Sequence, residues 1–371
     1  MRILINGLYL IPGKVGGSET YLRGLIEGLT EINQEDEYVL ALGPEAAATL
    51  SPSDERWRIV IAPWPSELRP GRLLLEQVWL PRVATRLKVD LIHSAGYTSP
   101  LVAAATLVTT IHDMNYRRHP EDLSLAERLA YAALIPPAAR RSRVVITDSS
   151  AAAGDLVRWT GIGPSNVRVV HLAPRAHWPG APSEDEVRLA SAGVAPPYLL
   201  AVSAAYPHKN LGRLLRAFPL ASSNASLVIV GLSGRAEVAV ESALRQRAKY
   251  VTRLGWVDDA LLAALYRNAL GLAFPSLYEG FGLPILEAMS FGTPVLTSNL
   301  GAMAEVAGEA AELVDPYSVE AIRRGLQRLA HDPLRRNELQ RLGVRRAADF
   351  TWRRTAEATR AIYSEAAADT M

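Results

Sequence analysis

The sequence predicts an α/β protein with two doubly wound parallel sheets, and three features indicate that class. Short apolar runs rich in β-branched residues alternate along the chain with longer segments of helical period, which is the pattern of parallel βαβ units. A length of 371 residues suits two domains better than one. The proline-rich, polar stretch from Ala173 to Pro197 interrupts the alternation and indicates a connection between domains.

Strands are predicted on both sides of this connection. Those before it are expected at Arg2–Asn6, Tyr38–Leu42, Trp57–Ala62, Leu91–His93, Leu107–Ile111, Val144–Thr147 and Val167–Leu172. Those after it are expected at Tyr198–Ser203, Leu227–Val230, Val251–Leu254, Gly271–Phe274, Pro294–Thr297 and Leu313–Val314. The last segment, Thr351–Ala367, is predicted to be a helix that docks on another part of the chain, because its large apolar residues share one face.

Composition excludes several classes of protein. The chain has 40 Lys and Arg against 38 Asp and Glu, a formal charge of +2, so no global field attracts nucleic acid. The lack of cysteine excludes disulfide frameworks, cysteine-ligated zinc, iron–sulfur clusters and thiol nucleophiles, and it favours a cytoplasmic location. No apolar run approaches the ~18 residues of a membrane span. The opening MRILINGLYLIPG has the pattern of a buried strand rather than of a signal peptide.

The densest motif reads FPSLYEGFGLPILEAMSFGTPVLTSNL, from Phe274 to Leu300. It combines a strand, a glycine turn and a helix that opens at Pro284, where the missing N–H of proline costs nothing. The N–H groups at such a helix start attract phosphate or hydroxyl oxygens. Glu279 and Glu287 flank these donors, and carboxylates accept hydrogen bonds from sugar hydroxyls. Each glutamate alone also fits a purely structural role at a strand end or near a helix start.

A glycine loop follows the first strand and reads PGKVGGSE, from Pro12 to Glu19. The pair Gly16 and Gly17 lets backbone approach a bulky anion at the start of a helix, although a plain tight turn explains the pair equally well. The loop lacks the G-x-G-x-x-G pattern of dinucleotide sites and the G-K-[S/T] ending of phosphate loops. Hydride transfer and ATP hydrolysis are therefore disfavoured.

The segment PHKN, Pro207–Asn210, follows the first strand of the second half. Lysine occurs only at Lys14, Lys88, Lys209 and Lys249, and the other basic residues are arginines. Two of the four lysines, at positions 14 and 209, lie in the two loops with the features of anion sites. An ammonium group there acts as a point charge on a diphosphate.

His112 and Asp113 end an apolar strand in the first half. In an open α/β sheet the ligand crevice lies at the carboxyl ends of strands, which makes His112 a candidate for the cleft. A structural histidine paired with Asp113 or with a backbone group is the alternative. The chain contains no Asp-x-Asp, Gly-x-Ser-x-Gly or His-Glu-x-x-His motif, which disfavours metal-bound nucleotide-sugar sites and common hydrolases.

Together these segments resemble the retaining nucleotide-sugar glycosyltransferases of the GT-B fold, family 4 (group 1), and among them the mannosyltransferases. The resemblance implies two Rossmann-like domains that face each other across a cleft. Residues 1–178 would bind the acceptor and residues 179–350 the nucleotide-sugar donor, while residues 351–371 would form a helix that crosses back to the first domain. Glu279 and Glu287, with GFGLP between them, are the most specific mark of this likeness.

The resemblance also implies roles for particular residues. His112, Lys209 and Glu279 are expected to be catalytic, with Glu279 on the transferred sugar and Lys209 on the diphosphate. Glu287 is expected to hold the ribose. The donor-binding residues implied by the resemblance are Gly16, Gly17, Ser203, His208, Lys209, Trp256, Val257, Phe281, Gly282, Leu283 and Glu287.

One segment departs from the family pattern. Many relatives carry an arginine just after the strand that precedes the lysine, whereas this chain has Ser203–Ala204–Ala205 there. His208 or Arg235 is expected to supply the second positive charge on the diphosphate. A histidine in that role would make donor binding more dependent on pH than an arginine would, because its unperturbed pKa is near ~6.5.

The acceptor is expected at loops of the first domain, where Trp64, Tyr97 and Tyr116 offer rings that can stack on sugars. The segment Arg72–Lys88 is predicted to be a basic amphipathic helix. Packing on its own sheet is favoured over contact with anionic lipid.

The predicted function is retaining, metal-independent transfer of a hexose, with mannose favoured, to a hydroxyl of a saccharide or lipid-linked glycan. The donor is a nucleoside-diphosphate sugar, with GDP-mannose favoured over UDP and dTDP sugars, and no further cofactor is expected. The expected location is the cytoplasm, including the inner face of the membrane, and no nucleic-acid partner is expected. Two alternatives stay open at this stage: a nucleotide-sugar epimerase of the same fold, and a non-catalytic subunit that binds nucleotide sugars.

Overall fold

The computed structural model describes residues 1–13, 16–32, 35–50, 52, 54–66, 69–218, 225–245 and 249–368. Its contacts divide the chain into two units. Unit 1 comprises Met1–Met114, Leu125–Ala173 and the segment that begins at Thr351, and unit 2 comprises Asn115–Ser124 and Pro174–Phe350. The units thus change at residue 174 rather than at 179, and the short segment 115–124 groups with unit 2.

The described residues form strands and helices in regular alternation. The strands are β1 Arg2–Asn6, β2 Glu37–Leu42, β3 Trp57–Ile61, β4 Leu91–Ser94, β5 Thr106–Thr110, β6 Val144–Thr147, β7 Val167–Val169, β8 Tyr198–Val202, β9 Ser226–Val230, β10 Val251–Leu254, β11 Gly271–Phe274, β12 Val295–Ser298 and β13 Glu312–Val314. The α-helices are α1 Gly17–Glu31, α2 Pro44–Ala47, α3 Arg69–Leu74, α4 Leu80–Arg86, α5 Asn115–Arg118, α6 Leu125–Arg141, α7 Ser150–Thr160, α8 Asp185–Ser191, α9 Leu211–Ala217, α10 Glu237–Arg245, α11 Asp259–Asn268, α12 Leu283–Ser290, α13 Gly301–Ala307, α14 Val319–His331, α15 Pro333–Ala348 and α16 Trp352–Ala368. Every predicted strand is confirmed, although β7 is shorter than predicted.

Unit 1 contains a seven-stranded sheet in the order β3-β2-β1-β4-β5-β6-β7. All its neighbouring strands run parallel, as in the pairs β1–β4, β4–β5 and β5–β6. The inner strands β2, β1, β4, β5 and β6 are buried on both faces, which explains why they are nearly continuous apolar runs, whereas the edge strands β3 and β7 are partly exposed. Because the strands are parallel, the residues that follow β1, β4, β5 and β6 all lie at one edge of the sheet.

Unit 2 contains a six-stranded parallel sheet in the order β10-β9-β8-β11-β12-β13. The strand order reverses between β8 and β11, which is the switch point where α/β sheets open a crevice. The predicted motifs after β8 and β11 therefore follow two adjacent strands. This topology, with that of unit 1, confirms the predicted α/β class with two Rossmann-like parallel sheets.

The C-terminal helix packs within unit 1, against α1. Gly24 and Gly28 of α1 leave room for it, since a β-carbon on Gly24 would lie 2.0 Å from the ring of Trp352. On Gly28 a β-carbon would lie 2.3 Å from the Trp352 carbonyl oxygen. Trp352 and Ala356 are buried at this contact. The predicted return of the last helix to the first part of the chain is thereby confirmed.

The segment predicted as one amphipathic helix contains a π-helical turn. Residues Leu75–Trp79 separate α3 from α4, and the N–H of Leu80 bonds to the carbonyl of Leu75. Pro81 follows directly and has no N–H to offer the carbonyl four residues earlier, which disfavours an uninterrupted α-helix here. Among the described residues, no helix is long and apolar enough to span a bilayer.

Candidate functional site

Lys209 is positioned by the loop that follows β8. A 3₁₀ turn, Pro207–Lys209, leads to Asn210, whose backbone is left-handed (φ 62°), a conformation that asparagine tolerates better than most residues. The Asn210 side chain donates hydrogen bonds to the carbonyls of Pro275 (2.9 Å) and Pro316 (2.7 Å). These bonds fix the loop to the segments after β11 and β13.

Lys209 and Glu279 form an ion pair. The Lys209 ammonium donates to both carboxylate oxygens of Glu279, at 2.8 Å each. Their side chains are 21% and 12% exposed, so the pair is largely shielded from solvent but open to a ligand. The residues predicted to bind the diphosphate and the transferred sugar are thus in direct contact, although 70 positions separate them in the sequence.

The glycine turn before α12 has the backbone that the motif predicts. Gly282 caps the helix with φ 108°, and Pro284 lies in its first turn. The first N–H groups of a helix have no partner within it, so they can serve a ligand. The Phe281 ring is buried and packs edge-on against Phe350 at 6.0 Å, which leaves its backbone as the part that a ligand can contact. Leu283 is also buried.

Glu287 lies on the inner side of α12 and is 5% exposed. The Tyr266 hydroxyl donates to Glu287 Oε2 (3.0 Å), and Arg175 Nε lies 3.5 Å from Oε1. Burial raises the pKa of Glu287, and the charge of Arg175 opposes that shift. Sequence reasoning missed both partners, because Arg175 lies in the proline-rich connection and Tyr266 on a helix whose pattern indicates only packing.

The other predicted donor-binding residues of unit 2 follow β8 and β10. Ser203 directly follows β8, and its carbonyl lies against Gly231, where an added β-carbon would come within 2.2 Å of that oxygen. Trp256 and Val257 follow β10, and the Trp256 side chain is 64% exposed. Gly231 donates to the carbonyl of Gly255 at 3.2 Å, which links the ends of adjacent strands.

His208 pairs with an acidic residue of the segment 115–124. Its Nδ1 bonds to Asp122 Oδ2, and both residues are buried. The Asp122 carboxylate also accepts a hydrogen bond from Asn115 Nδ2 (3.0 Å). Burial raises the pKa of Asp122, but His208, Asn115 and His119 together outweigh it and hold that pKa below its usual range. Asp122 was missed because nothing in the local HPED sequence points to a partner 86 residues away.

His112 follows β5 in unit 1 and pairs with Asp148, not with Asp113. His112 Nδ1 lies 2.8 Å from Asp148 Oδ2, whereas Asp113 accepts a hydrogen bond from the Tyr97 hydroxyl at 2.7 Å. The rings of Tyr21 and Tyr97 meet the imidazole edge-on at 4.9 and 5.5 Å. Asp148 directly follows β6, the neighbour of β5, so strand adjacency was the signal that could have found it.

The surroundings of His112 favour the charged form of its imidazole, because they raise its pKa. Burial lowers its pKa, but Asp148, together with Asp113 and a backbone hydrogen bond at Ala95, raises it more, so the pKa lies above its usual value. The other ring nitrogen, Nε2, is buried and lacks a well-formed hydrogen bond among the residues that the structure describes. A buried nitrogen without a well-formed hydrogen bond is costly unless a ligand uses it. His112 therefore stays a candidate for contact with a ligand.

A buried hydrogen-bonded chain adjoins His112. The ring nitrogens of His93 lie 2.6 Å from the Tyr363 hydroxyl and 2.8 Å from the Thr110 hydroxyl. Thr110 in turn lies 2.9 Å from the hydroxyl of Tyr21, the residue that packs against His112. Burial lowers the pKa of His93 to about 3, so this ring is neutral. The chain connects helix α16 to the surroundings of His112.

The glycine loop that the sequence predicts as an anion site lies at the start of α1. Gly16 caps α1 with φ 53°, and Gly17 is the first residue of that helix. Glu19 closes the loop by accepting from the Gly13 N–H at 2.8 Å. Lys14 and Val15 lie outside the described residues.

Trp64 and Tyr97 lie in unit 1, whereas Tyr116 lies in unit 2. Trp64 is 38% exposed, and its indole donates to the Gly71 carbonyl at 3.3 Å. Tyr116 is 5% exposed, so little of its ring is available for stacking on a sugar. The predicted placement of Tyr116 on a first-domain loop is therefore corrected.

Comparison with known families finds two matches that cover most of the chain. The family described as "Glycosyltransferase Family 4" matches residues 15–173, and the family described as "Glycosyl transferases group 1" matches residues 189–346. The second match contains Lys209, Glu279 and Glu287. The motifs that carried the resemblance thus lie inside the matched regions.

Curated relatives are similar at modest identity. An O-antigen chain mannosyltransferase B of Escherichia coli is 29% identical over 66% of this chain and 66% of its own length. An MMP alpha-(1->4)-mannosyltransferase of Mycolicibacterium hassiacum is 28% identical over 99% of each chain.

Solved structures share the fold along nearly the whole chain. Sucrose-phosphate synthase from Thermosynechococcus elongatus superposes with a TM-score of 0.79 at 21% identity, covering 98% of each chain. Anabaena HepE, solved with UDP and glucose, superposes with a TM-score of 0.73 at 21% identity, covering 98% of this chain and 100% of its own. At this identity the likeness shows the fold.

Proposed function

Because the chain belongs to the group 1, family 4 glycosyltransferases of the GT-B fold, we propose that it moves a hexose from a nucleoside-diphosphate sugar to a hydroxyl of a saccharide or lipid-linked glycan. The observation that carries this proposal is the Lys209–Glu279 pair beside the start of α12. A cation and a carboxylate are thus in direct contact, and helix α12 begins four residues after Glu279. This combination suits a ligand with a diphosphate and sugar hydroxyls.

The Lys209 ammonium is proposed to stabilise the negative charge of the departing diphosphate. When the bond between the sugar and the diphosphate breaks, negative charge grows on the phosphate oxygens, and fixed cations and N–H donors stabilise it. The ammonium of Lys209 and the first turn of α12 supply such donors. Since the sequence has no Asp-x-Asp, this charge is proposed to be met by the protein without a metal ion.

Glu279 exchanges its partner when donor binds. Its carboxylate is held by Lys209 in the ligand-free protein, and a sugar hydroxyl can take one of these hydrogen-bonding positions while the ammonium turns to phosphate. Glu287 is proposed to accept from the ribose hydroxyls. His112 is proposed to contact the transferred sugar through Nε2, the nitrogen opposite Asp148.

Transfer is proposed to retain the anomeric configuration. The bond from the anomeric carbon to the phosphate oxygen breaks, and the bond to the acceptor oxygen forms on the same face. The proton of the acceptor hydroxyl passes to the leaving phosphate oxygen, so no protein nucleophile is needed. Mannose is favoured because the two relatives reported above are named mannosyltransferases. GDP is proposed with it from the resemblance of the sequence to the mannosyltransferases. The UDP in the HepE structure keeps uridine donors as the second choice.

A panel of GDP-, UDP-, dTDP- and ADP-sugars tests this proposal by thermal shift and by slow release of free sugar. Wild type should be stabilised by one donor class, and Lys209→Ala and Glu279→Ala should each lower sugar release by about 10²-fold or more. Lys249→Ala and Glu309→Ala remove the same charges elsewhere and should behave as wild type. No stabilisation by any nucleotide sugar would contradict the proposal. An epimerised donor, formed without acceptor, would indicate the epimerase alternative.

A further inference from the structure

The surroundings of His208 define the orientation of its ring. Its Nδ1 bonds to Asp122, and the rings of Tyr206 and His119 lie 6.1 and 5.8 Å from it. The carbonyl of His208 accepts from the Leu277 N–H at 2.7 Å, which ties the turn to the segment that carries Glu279. The imidazole is thus held at one edge and contacted by two further rings.

The second nitrogen of His208 is available. Nδ1 and Nε2 lie on opposite sides of an imidazole ring, so the bond to Asp122 turns Nε2 away from that carboxylate. Within the described part of the chain, Nε2 of His208 has no hydrogen-bonding partner. This nitrogen acts as an acceptor when the ring is neutral and as a donor when it is charged.

Whether the His208 ring is neutral or charged depends on its contact with Asp122. It is 3% exposed, accepts hydrogen bonds from His208 and Asn115, and leaves Oδ1 without a partner among the described residues. A buried carboxylate with so few donors needs a positive charge beside it. His208 is the ionisable side chain that the structure pairs directly with Asp122 within the described chain.

We propose that Asp122 is a positioning residue: it holds His208 as an imidazolium whose Nε2 donates, beside Lys209, to the diphosphate of the donor substrate. The inference rests on the proposed function. Lys209 is the next residue in the chain, and its own charge is shared with Glu279. A diphosphate carries more than one negative charge, so a second cation on the same turn increases its stabilisation. The residues directly after β8, Ser203–Ala204–Ala205, carry no positive charge of their own.

The groups that face His208 are few. Asp122 is hydrogen-bonded to it, and His119 and Tyr206 contact its ring. His119 is itself paired with Glu121, whose carboxylate lies 3.0 Å from His119 Nδ1. Asp122 is therefore the carboxylate that the structure pairs directly with His208, and its neutralisation should release the ring to titrate.

Calorimetric binding of GDP and UDP at pH 5.5 and pH 8.0 tests this inference. The ratio of Kd for Asp122→Asn to Kd for wild type cancels the ionisation of the nucleotide itself. For the nucleotide that wild type binds, we expect this ratio to be about ten at pH 8.0, where the released His208 is neutral, and clearly smaller at pH 5.5. A ratio of one or less at pH 8.0 would overturn the inference, since Asp122 would then only repel the anion.

Two further variants separate charge from orientation. Asp122→Asn combined with His208→Arg should restore binding at pH 8.0, because arginine stays charged without a carboxylate. Glu121→Gln removes a charge one residue away, and its side chain is 52% exposed, so it should leave the ratio near one at both pH values. Failure of the double variant to recover would contradict the proposed role of Asp122.

A measurement on the wild-type protein tests the inference even if Asp122→Asn does not fold. Imidazole ¹⁵N resonances, with His208→Gln to assign the ring, should show a doubly protonated His208 at pH 7.5. A neutral ring would overturn the inference. If wild type binds neither GDP nor UDP and no nucleotide sugar of the panel stabilises it, the proposed function fails. If it binds one and Asp122→Asn binds equally well at pH 8.0, only the role of Asp122 fails.

Discussion

At the scale of single residues, the candidate site depends on buried charges whose partners come from distant parts of the chain. His112 with Asp148, His208 with Asp122 and Glu287 with Arg175 each join residues from different elements. Breaking such a pair leaves an uncompensated charge in the interior, which costs more than the loss of one contact. These pairs are therefore the places where a single substitution should have the largest effect.

Replacement of Asp148 by asparagine should make the protein less stable, and more so at acid pH. Asp148 raises the pKa of His112, so above the burial-raised pKa of Asp148 and below the unfolded pKa of His112, ~6.5, this pair adds its full stability. That stability is lost as pH rises through the folded pKa of His112. We expect Asp148→Asn to lower the free energy of unfolding by about 3 kcal/mol at pH 6.0. The loss should be smaller at pH 9.0. Urea unfolding at both pH values checks this, and an equal loss at both would contradict it.

At the scale of elements, glycine and proline positions and the ends of apolar runs predict helix starts and strand ends well. Pro284 and the glycine turn correctly predicted where α12 begins, and apolar runs predicted all the strands. The π-helical turn Leu75–Trp79 was not predicted, because it depends on how Pro81 and its neighbours share backbone hydrogen bonds. Short helices such as α5 give no period that a sequence can reveal.

The start of α12 should be sensitive to a methyl group on Gly282. Its φ of 108° is unfavourable for residues with a β-carbon, and that carbon would lie 3.0 Å from Ile285. We expect Gly282→Ala to lower the free energy of unfolding by about 1–2 kcal/mol and to weaken donor binding. Thermal unfolding and nucleotide titration would measure the two effects.

Gly212→Ala is the matched control for that change. Gly212 lies inside α9 with nothing within 4 Å of the added carbon, so alanine should stabilise by about 0.5–1 kcal/mol. If both alanine variants changed stability in the same direction, the strain assigned to Gly282 would be wrong.

The packing contact between α16 and α1 should not tolerate a larger residue at position 24 in place of Gly24. A β-carbon there would overlap the Trp352 ring, so we expect Gly24→Ala to cost about 1–3 kcal/mol, because overpacking forces backbone shifts. Gly154→Ala in α7 meets nothing within 4 Å and serves as the control, with an expected gain in stability. Denaturant midpoints of both variants against wild type test the contact, and an unchanged midpoint for Gly24→Ala would contradict it.

At the scale of the whole molecule, the parallel architecture and the motif-bearing loops could be read from sequence, but the pairing of side chains could not. Lys209 and Glu279 were each predicted from local motifs, and topology then placed their strands side by side. The neighbouring sequence does not indicate the contacts of Asp122, Asp148 and Tyr266, because these contacts arise only from tertiary proximity. The assignment of segment 115–124 to unit 2 was missed for the same reason.

The central claim is that this chain transfers a hexose from a nucleoside-diphosphate sugar with the help of Lys209 and Glu279. The most direct measurement is ¹H NMR of the anomeric protons during incubation with the donor that the panel selects and a glycan acceptor. We expect loss of the α-linked donor, formation of the nucleoside diphosphate and a new α-linked product, all at least about 10²-fold slower in Glu279→Ala. Product of unchanged yield in that variant, or no consumption of any bound donor by wild type, would contradict the claim.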